Sequence, residues 1–512
     1  MNKRIAAIDI GSNAPKMMIA EAAEDGRPRV IETIRGTLSL GSDTYNNQAI
    51  SEERLNRLGE LLKNFQTKLK EYKVKNYRVT ATSAVREAVN RDFVIARINQ
   101  LTGMHCEVLS NSAERYYHNM VLAENFPTFN ELAEQGTIVL DLGAGSLQFS
   151  AFADGRRIMS QNIKLGYLRV SELFSQLQSK APNFAEVMDE YIGSKLSDLN
   201  IEVYDVRSKW SLIAIGNDLD YLRRFSGLID PEDTFLSAEN LEKVNERLLK
   251  LTPLELNLHH DIPSDVSGIL LPAAMIIHRF VEQSNAPGIY MPSVQLAQGL
   301  LLEMAEKEYK YKVSRDQDKD LLGEVRHMAL RFGGDKKHLD AKERDAVAIV
   351  KALRKKYRLN KRFTLLCRAA VQLSEIGKCI HPENYPEYSA QILENSEFIG
   401  LSRREQLIVT RSIRFIPGND VPVDPFLEYH SYNHRLTVLQ LTAILRLADA
   451  LEISRSDKIR DIKANLKKRV LTLTIVSSED LTLEIWAVGE RARLISELFG
   501  IELVLKTEEP GQ

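Results

Sequence analysis

Two stretches of the chain repeat one pattern: an apolar strand, an Asp-x-Gly loop, a second strand, an Asp-Gly pair and a third strand. The first begins RIAAIDIGSN at Arg4, and the second begins TIVLDLGAGS at Thr137. The pairs Asp25-Gly26 and Asp154-Gly155 are typical of tight hairpin connections, because the positive backbone angles of such turns favour glycine. The repeat therefore predicts two related halves in the first 300 residues or so.

Helical and strand-like stretches alternate in both halves. Ser51 to Tyr72 has helical apolar spacing, NYRVTATSA is strand-like, and a helix is expected from about Val85. After the second repeat, WSLIAIG predicts a strand and LLPAAMIIHRFVEQ a helix. The alternation predicts the α/β fold class, with two duplicated domains around a cleft at residues 1–125 and 126–308.

The composition and apolar spacing change in the remaining sequence. Residues 309–461 are charged and amphipathic, which predicts an all-helical domain. The tail then reads RVLTLTIVS, DLTLEIWAV, ERARLISELFG and IELVLK. We interpret these segments as strand, strand, helix and strand in a small α+β unit over residues 462–512.

Bulk composition excludes several classes of protein. At 512 residues the chain is too long for one hydrophobic core. The sequence contains no apolar run of about 18 residues, so we expect no membrane-spanning segment. A net charge of -2 gives no general attraction to nucleic acid or anionic membranes. The three cysteines, Cys106, Cys367 and Cys379, lack disulfide or zinc spacing and are expected to be small core residues. Because the apolar start reaches Asp9 at once, we expect a first strand, no signal peptide and a cytoplasmic protein.

The paired loops suggest phosphate chemistry. An Asp-x-Gly loop with small neighbours exposes backbone N–H groups that can cradle phosphate, and its aspartate can hold a divalent cation. A single loop of this kind is also explained by ordinary turn chemistry. Two copies facing one cleft favour a site.

Several motifs in order resemble a known family. IDIGSN and LDLGAGS resemble the phosphate-binding loops of the actin, sugar kinase and Hsp70 superfamily, whose domains have a ribonuclease H-like fold. More closely, DIGSNAPKMMIA, VTATSAVREAVN and EVLSNSAERYYHN, followed by LDLGAGS, resemble the exopolyphosphatase and guanosine pentaphosphate phosphohydrolase (Ppx/GppA) family. The helical region is similar, more weakly, to the HD-like module of that family.

The resemblance implies hydrolysis of a terminal phosphoanhydride in inorganic polyphosphate or guanosine pentaphosphate, with magnesium in the cleft. Glu114 would activate water, and Asp141 would hold the metal and orient the water. Metal binding would involve Asp141, Asp9 and Gln148. Phosphate would be bound by residues of both loops and one arginine: Gly11, Ser12, Asn13, Arg86, Gly143, Ala144, Gly145 and Ser146. Partners would be polyphosphate or the guanosine pentaphosphate and tetraphosphate alarmones, and a homodimer is expected.

Simpler readings of two of these residues stay open, whereas Asp141 is the least ambiguous of the three. Glu114 could be an acid at an ordinary helix start, where it faces the positive end of the dipole. Arg86 could pair with Glu87 or another surface acid. Asp141 ends a buried strand and therefore needs a partner.

The chain also departs from the family pattern. Gln148 stands where the family usually has a glutamate, so metal affinity should fall. The other departures lie in the remaining motifs: Ala14, Asn111, Ala113, Asn217, Asp218 and Ala297.

The helical domain lacks a recognised HD metal site. Ser374-Glu375 stands where a His-Asp pair would be, and of the expected ligands only Asp449 keeps its place. The spacing of His381, His430 and His434 forms no ligand set, so we interpret them as loop or surface residues. We predict no metal there, and a structural or dimerising role.

Two functions remain open at this point. The first is a magnesium-dependent exopolyphosphatase-like hydrolase. The second is a catalytically impaired relative that binds polyphosphate or an alarmone and signals to a partner. A sugar or acetate kinase of the same superfamily fits less well, because Asp218 makes the adenosine-side loop acidic.

Overall fold

A computed structural model describes residues 3–175, 184–197, 199, 210–230, 232–418 and 431–509. The chain divides into two compact units, Met1–Gln317 (unit 1) and Asp318–Gln512 (unit 2). Each is described by itself.

The first sheet of unit 1 has the strand order β3-β2-β1-β4-β5. Its first three strands form an antiparallel meander, and β4 and β5 extend it in parallel. The strands are β1 (Arg4–Ile10), β2 (Pro15–Ala22), β3 (Pro28–Arg35), β4 (Asn76–Ala81) and β5 (Cys106–Val108).

The second sheet repeats this plan with the order β10-β11-β9-β6-β7-β8. Strands β6 to β8 form the meander, β9 and β11 follow in parallel, and β10 closes the edge antiparallel to β11. The strands are β6 (Thr137–Leu142), β7 (Leu147–Ala153), β8 (Arg156–Ile163), β9 (Ser211–Ile215), β10 (Phe235–Ser237) and β11 (Gly288–Tyr290). The duplication predicted from the two loops is thus confirmed at the level of topology.

Both Asp-Gly pairs form the expected hairpin turns. Gly26 has φ of 81°, while Asp154 and Gly155 have φ of 50° and 68°. The turns connect β2 to β3 and β7 to β8, and each hairpin contains one register shift.

Helices surround both sheets of unit 1. They are Leu40–Asn47, Glu52–Glu71, Ser83–Glu87, Arg91–Thr102, Asn111–Asn125, Phe129–Gln135, Tyr167–Ser175, Phe184–Ser197, Leu219–Phe225, Ala238–Leu249, Pro253–His260, Ser264–Ser267, Leu270–Ser284 and Leu296–Glu308. The last of these follows the second sheet in sequence but packs against the first, where Leu300 joins a core with Ile5 and Met18. Helix Leu296–Glu308 therefore ties the two halves together.

One stretch of unit 1, Ser264–Ser284, is long and apolar enough to cross a membrane when only its length and composition are considered. Within the structure 67% of its apolar window is buried, as in the core helix of a folded domain. Residues of this stretch such as Ile276 and Phe280 belong to the core beneath the second sheet.

Unit 2 begins with helices and ends with a three-stranded sheet. The helices are Gln317–Arg331, Lys336–Tyr357, Lys361–Leu373, Tyr385–Glu394, Arg403–Arg414, Tyr432–Leu451 and Thr482–Phe499, with a 3-10 turn at Ile376–Cys379. The strands are β12 (Asp461–Lys467), β13 (Val470–Val476) and β14 (Glu502–Glu508), in the order β12-β13-β14. One hydrophobic core contains residues of the helices and of the sheet, from Leu321 to Ile501.

The β-β-α-β order of the tail is present, but one segment was assigned wrongly. DLTLEIWAV, expected as a strand, lies at the start of helix Thr482–Phe499, and the first strand is β12. The buried residues Leu481, Glu484, Ala487 and Val488 recur at helical spacing. The alternation of apolar and polar residues in this segment favours a strand, but packing against the unit 2 core selects the helix.

Two further expectations need correction. Cys106 and Cys367 are buried as expected, but Cys379 is exposed. His434 is buried, with Nδ1 accepting a hydrogen bond from Arg404 Nε at 3.2 Å, so it is not a surface residue. His381 lies in a loop, and His430 lies outside the described residues.

Candidate functional site

The first Asp-x-Gly loop connects β1 to β2. Ser12 Oγ lies 2.8 Å from Ser83 Oγ and accepts a hydrogen bond from the Ala84 amide at 3.0 Å. These contacts bind the loop to helix Ser83–Glu87, which directly follows β4. The loop is therefore held in shape by the neighbouring parallel strand and its helix.

The second loop connects β6 to β7 and closes on itself, because the Gly143 amide donates to Ser146 O at 2.9 Å. The chain after β9 passes so close to the start of this loop that it has no room for a side chain there. A Cβ atom on Gly216 would lie 2.3 Å from the Leu142 carbonyl oxygen, which is too short for any unrelaxed contact. The carbonyl of Gly145 accepts a hydrogen bond from Arg169 Nε at 2.8 Å.

The two loops line one partly open cleft of about 60 Å³. It is lined by both loops and by side chains from neighbouring elements: Gly11, Ser12, Asn13, Ala14, Lys16, Thr82, Ser83, Glu114, His118, Asp141, Gly143, Ala144, Ser146, Gln148, Tyr167, Gly216, Asn217, Asp218 and Leu296. Of the predicted site residues, all of which the structure describes, Asp9, Arg86 and Gly145 do not line it. The others are brought together.

Glu114 enters the cleft from the first turn of helix Asn111–Asn125, where Ser110 caps the helix by accepting from the Ala113 amide at 3.2 Å. Its carboxylate lies 3.2 Å from Arg86 Nη2. Arg86 also donates to the Leu109 carbonyl oxygen at 2.7 Å. Arg86 thus holds Glu114 in place; it does not pair with Glu87, which binds Arg169.

His118 is the partner of Asp141. Their Nδ1 and Oδ2 atoms are 2.5 Å apart, and both side chains are buried. Burial by itself lowers the pKa of His118, but Asp141 together with the Glu114 and Asp9 carboxylates outweighs that effect, so the pKa is raised overall. His118 Nε2 is buried without a hydrogen-bond partner.

Asp218 connects the second half of unit 1 to the first loop. Its carboxylate accepts hydrogen bonds from Asn13 Nδ2 at 3.1 Å and from the Tyr167 hydroxyl at 2.8 Å. Lys16 Nζ lies 3.6 Å from the same carboxylate and donates to the Asn217 carbonyl oxygen at 2.9 Å. Burial tends to raise the pKa of Asp218, but Lys16 and the hydrogen bonds lower it overall.

For Asp9, the nearby positive groups and hydrogen-bond donors do not offset the effect of burial on its pKa. Burial raises its pKa to about 7, and the nearby Glu114 carboxylate adds to the rise. Lys16 and His118 act in the opposite direction, as does a hydrogen bond from Asn217 Nδ2 at 3.3 Å. Asp9 Oδ1 is left without a hydrogen-bond partner.

Sequence reasoning did not identify His118, Lys16 or Asp218 as parts of one network. A signal for His118 was present, because it follows Glu114 by four residues and one helix face therefore carries both. No comparable signal joined Lys16 to Asp218. They are 202 positions apart in sequence, and only the folding of the two halves brings them together.

The residue set does not fit a divalent cation. Asp9 Oδ1 and Gln148 Oε1 are unpartnered oxygens of suitable chemistry, but Gln148 carries no charge. Asp141 is already bonded to His118. Among the described residues, no group of three or more His, Cys, Asp or Glu side chains converges in a way that could hold a metal ion.

In unit 2 an ammonium group lies beside two acids, Glu375 and Asp449, at positions where the family resemblance implied HD metal ligands. The fully buried Lys342 has Nζ 2.7 Å from Asp449 and 3.5 Å from Glu375. It also donates to Ser374 Oγ at 3.3 Å, and the two carboxylates raise its pKa against the opposing effect of burial. His338 Nε2 lies 3.0 Å from Glu375 Oε1, the same oxygen that Lys342 faces. An internal salt-bridge network thus occupies the place expected for HD ligands.

Two duplicated sheets with phosphate-type loops facing one cleft define the actin-like class of fold. The Ppx/GppA phosphatase family model matches residues 18–308, and the model of domain III of the Ppx/GppA phosphatases matches residues 323–486. The chain therefore belongs to the Ppx/GppA phosphatase family.

Relatives within the family are distant. The chain is 21% identical over 417 residues to a guanosine-5'-triphosphate,3'-diphosphate pyrophosphatase of Photobacterium profundum, covering 80% of this chain and 79% of that one. It is 20% identical over 311 residues to exopolyphosphatase 1 of Mycobacterium bovis, covering 60% and 89%.

Solved structures support the fold over about 60% of the chain. An exopolyphosphatase from Cytophaga hutchinsonii gives a TM-score of 0.52 at 21% identity, covering 61% of this chain and all (100%) of that one. An Aquifex aeolicus Ppx/GppA family member gives 0.50 at 20% identity, covering 60% and 99%.

Proposed function

We propose that the cleft of unit 1 hydrolyses the terminal phosphoanhydride of inorganic polyphosphate or guanosine pentaphosphate. The observation that carries this proposal is the meeting of both Asp-x-Gly loops with Glu114 at one partly open cleft. Loops of small residues bind phosphate through backbone N–H groups, and a carboxylate within reach can take a proton from water. Membership of a phosphatase family supports the same reaction class.

In the proposed reaction, Glu114 accepts a proton from water while the water oxygen forms a bond to the terminal phosphorus. The bond from that phosphorus to the bridging oxygen breaks, and this oxygen leaves with the electron pair on the shortened chain. Loop amides and the Lys16 ammonium offset the charge of the phosphate oxygens, because phosphoryl transfer depends mainly on positioning and charge neutralisation. Magnesium is expected from the family resemblance, but since the residue set does not fit it, no step is assigned to it.

The test is phosphate release from long polyphosphate and from guanosine pentaphosphate, measured side by side. Glu114→Gln should lower the rate about a hundredfold or more, because general-base catalysis contributes that much. The exposed Glu131→Gln on the next helix serves as the matched control and should leave the rate unchanged. A wild-type protein that releases no phosphate, with any divalent ion or without one, would overturn hydrolysis.

A second candidate is a binding protein that recognises the same ligands without turnover. It is favoured by the Lys16–Asp218 ion pair inside the cleft and by the neutral Gln148 beside Asp141. Gln148→Glu separates the two candidates. A large rise from no measurable activity supports the binding protein, whereas a modest change in an active protein supports the enzyme.

A further inference from the structure

The two halves of unit 1 present different side chains at one equivalent position. In the first hairpin Lys16 is the strand partner of Asp9, and in the second Gln148 is the strand partner of Asp141. Lys16 and Gln148 each follow the loop aspartate by seven residues. At this strand position neither half therefore offers a second carboxylate, and the first half offers a cation instead.

The loop aspartate of the second half is also engaged. His118 lies 2.5 Å from Asp141 Oδ2, and both side chains are buried beside the cleft. A cation entering here would have to compete with a buried charge-assisted hydrogen bond, which is about twice as strong as a neutral one. The other oxygen ligands would be the neutral amide of Gln148, the carboxylate of Glu114, which Arg86 already holds, and that of Asp9, which does not line the cleft.

Phosphate binding still requires positive charge, and Lys16 supplies it. The ammonium is buried, lines the cleft and lies 3.6 Å from Asp218. The first loop, with its small residues Gly11 and Ala14, lines the same space. An incoming phosphate can take the place of Asp218 as the anion that Lys16 binds.

We propose that this cleft takes its phosphoanhydride ligand free of divalent cations, with Lys16 in the charge-neutralising role and His118 keeping Asp141 from binding metal. This inference rests on the proposed function for the identity of the ligand. It goes beyond that proposal in assigning the form in which the ligand binds.

The first experiment is calorimetric titration of the full chain with inorganic tripolyphosphate, in EDTA and again with magnesium. Tripolyphosphate should bind in EDTA and bind more weakly with magnesium, because magnesium complexes the ligand and lowers the concentration of its free form. Lys16→Met should weaken binding in EDTA about tenfold. The exposed Lys164→Met, which follows β8 in the same unit, is the charge-matched control. Binding that needs magnesium, or that Lys16→Met leaves unchanged in EDTA, would overturn the inference.

The second experiment needs no phosphate ligand. Manganese binding to the full chain is followed by electron paramagnetic resonance, comparing the wild type with Asp141→Asn. The two should bind alike, whereas the double variant His118→Ala/Gln148→Glu should gain one manganese ion. A wild-type site that Asp141→Asn abolishes would overturn the inference even if the double variant fails to fold.

The two experiments also separate the inference from the function on which it rests. Absence of tripolyphosphate, polyphosphate or pentaphosphate binding in every buffer would defeat the proposed function. The manganese comparison would then still decide whether Asp141 binds metal.

Discussion

At the scale of single residues, each carboxylate of the cleft is held by a donor from elsewhere in unit 1. Arg86 holds Glu114, His118 holds Asp141, and Lys16 lies beside Asp218. Buried charges are stable only when paired and hydrogen-bonded, so these contacts stabilise the folded cleft. They also mean that a polyanionic ligand must compete for donors that are already in use.

Asp218→Asn should therefore strengthen binding. The variant keeps the shape of the side chain but removes the anion that competes with phosphate for Lys16. We expect tripolyphosphate to bind about tenfold more tightly, which corresponds to about 1.4 kcal/mol. Calorimetry measures the effect, with the exposed Asp233→Asn of the same unit as the control. Equal or weaker binding in a folded variant would contradict a competing role for Asp218.

At the scale of elements, strand ends and short turns carry the site. Both loops lie where a central strand turns back into its hairpin, and the β9 end comes so close to β6 that a glycine is required there. The same scale explains unit 2, where one helix carries a buried lysine to acids on two other segments.

Gly216→Ala tests the close approach of β9 to the second loop. Its Cβ would lie 2.3 Å from the Leu142 carbonyl oxygen, so the backbone must shift. Overpacking of this kind costs about 1–3 kcal/mol, which urea denaturation would report as a loss of stability. Gly268→Ala is the control, because the nearest atom to its added Cβ is Ser171 Oγ at 4.0 Å. Equal stability of the two variants would argue against the observed packing.

Lys342→Met tests the salt-bridge network of unit 2. Removing the ammonium leaves Asp449 and Glu375 without their shared buried cation. Breaking a buried pair on one side costs about 3–5 kcal/mol, so the midpoint of urea unfolding should fall clearly. Lys355→Met, exposed on the same helix, should change stability by less than about 0.5 kcal/mol. Wild-type stability in Lys342→Met would show that the network is dispensable.

At the scale of the whole molecule, two units of different construction share one chain. Unit 1 concentrates the phosphate-type loops, whereas unit 2 buries several acids around one core. In unit 2, burial raises the pKa of Glu452 to about 7, with a further contribution from Asp345. Burial likewise raises the pKa of Asp345 to about 6. These acids make the stability of the folded chain sensitive to pH.

The sign of the pH dependence follows from these raised values. The folded state holds the Glu452 proton more tightly than the unfolded state, whose pKa is near 4.5. The resulting stability is fully present below pH 4.5 and is lost as the pH rises through about 7. The free energy of unfolding contributed by this group should thus fall across this window, by an amount on the order of 3 kcal/mol.

Urea unfolding at a series of pH values measures this effect. Glu452→Gln should flatten the fall between pH 4.5 and about 7, and part of the slope should remain because Asp345 also titrates. The exposed Glu479→Gln should keep the wild-type profile. A Glu452→Gln profile that falls as steeply as the wild type would refute the assignment.

Much of the fold followed from local patterns. The two Asp-x-Gly loops, the Asp-Gly turns and the alternation of strands and helices predicted the duplicated α/β architecture, because turn chemistry and side-chain periodicity act over a few residues. Where two periodicities competed, as in DLTLEIWAV, packing against the core selected the helix Thr482–Phe499. Local pattern alone could not decide that case.

For the site, too, some features followed from the sequence and others depended on the tertiary structure. The amino-acid sequence by itself determined where the two Asp-x-Gly loops lie and that Glu114 and Asp141 stand near helix or strand ends, since glycine and aspartate report local backbone geometry. Only the tertiary structure decided that His118 forms a hydrogen bond with Asp141 and that Lys16 pairs with Asp218. The Lys16–Asp218 pair joins residues from opposite halves of unit 1, and its formation depends on burial and charge after folding rather than on any spacing along the chain.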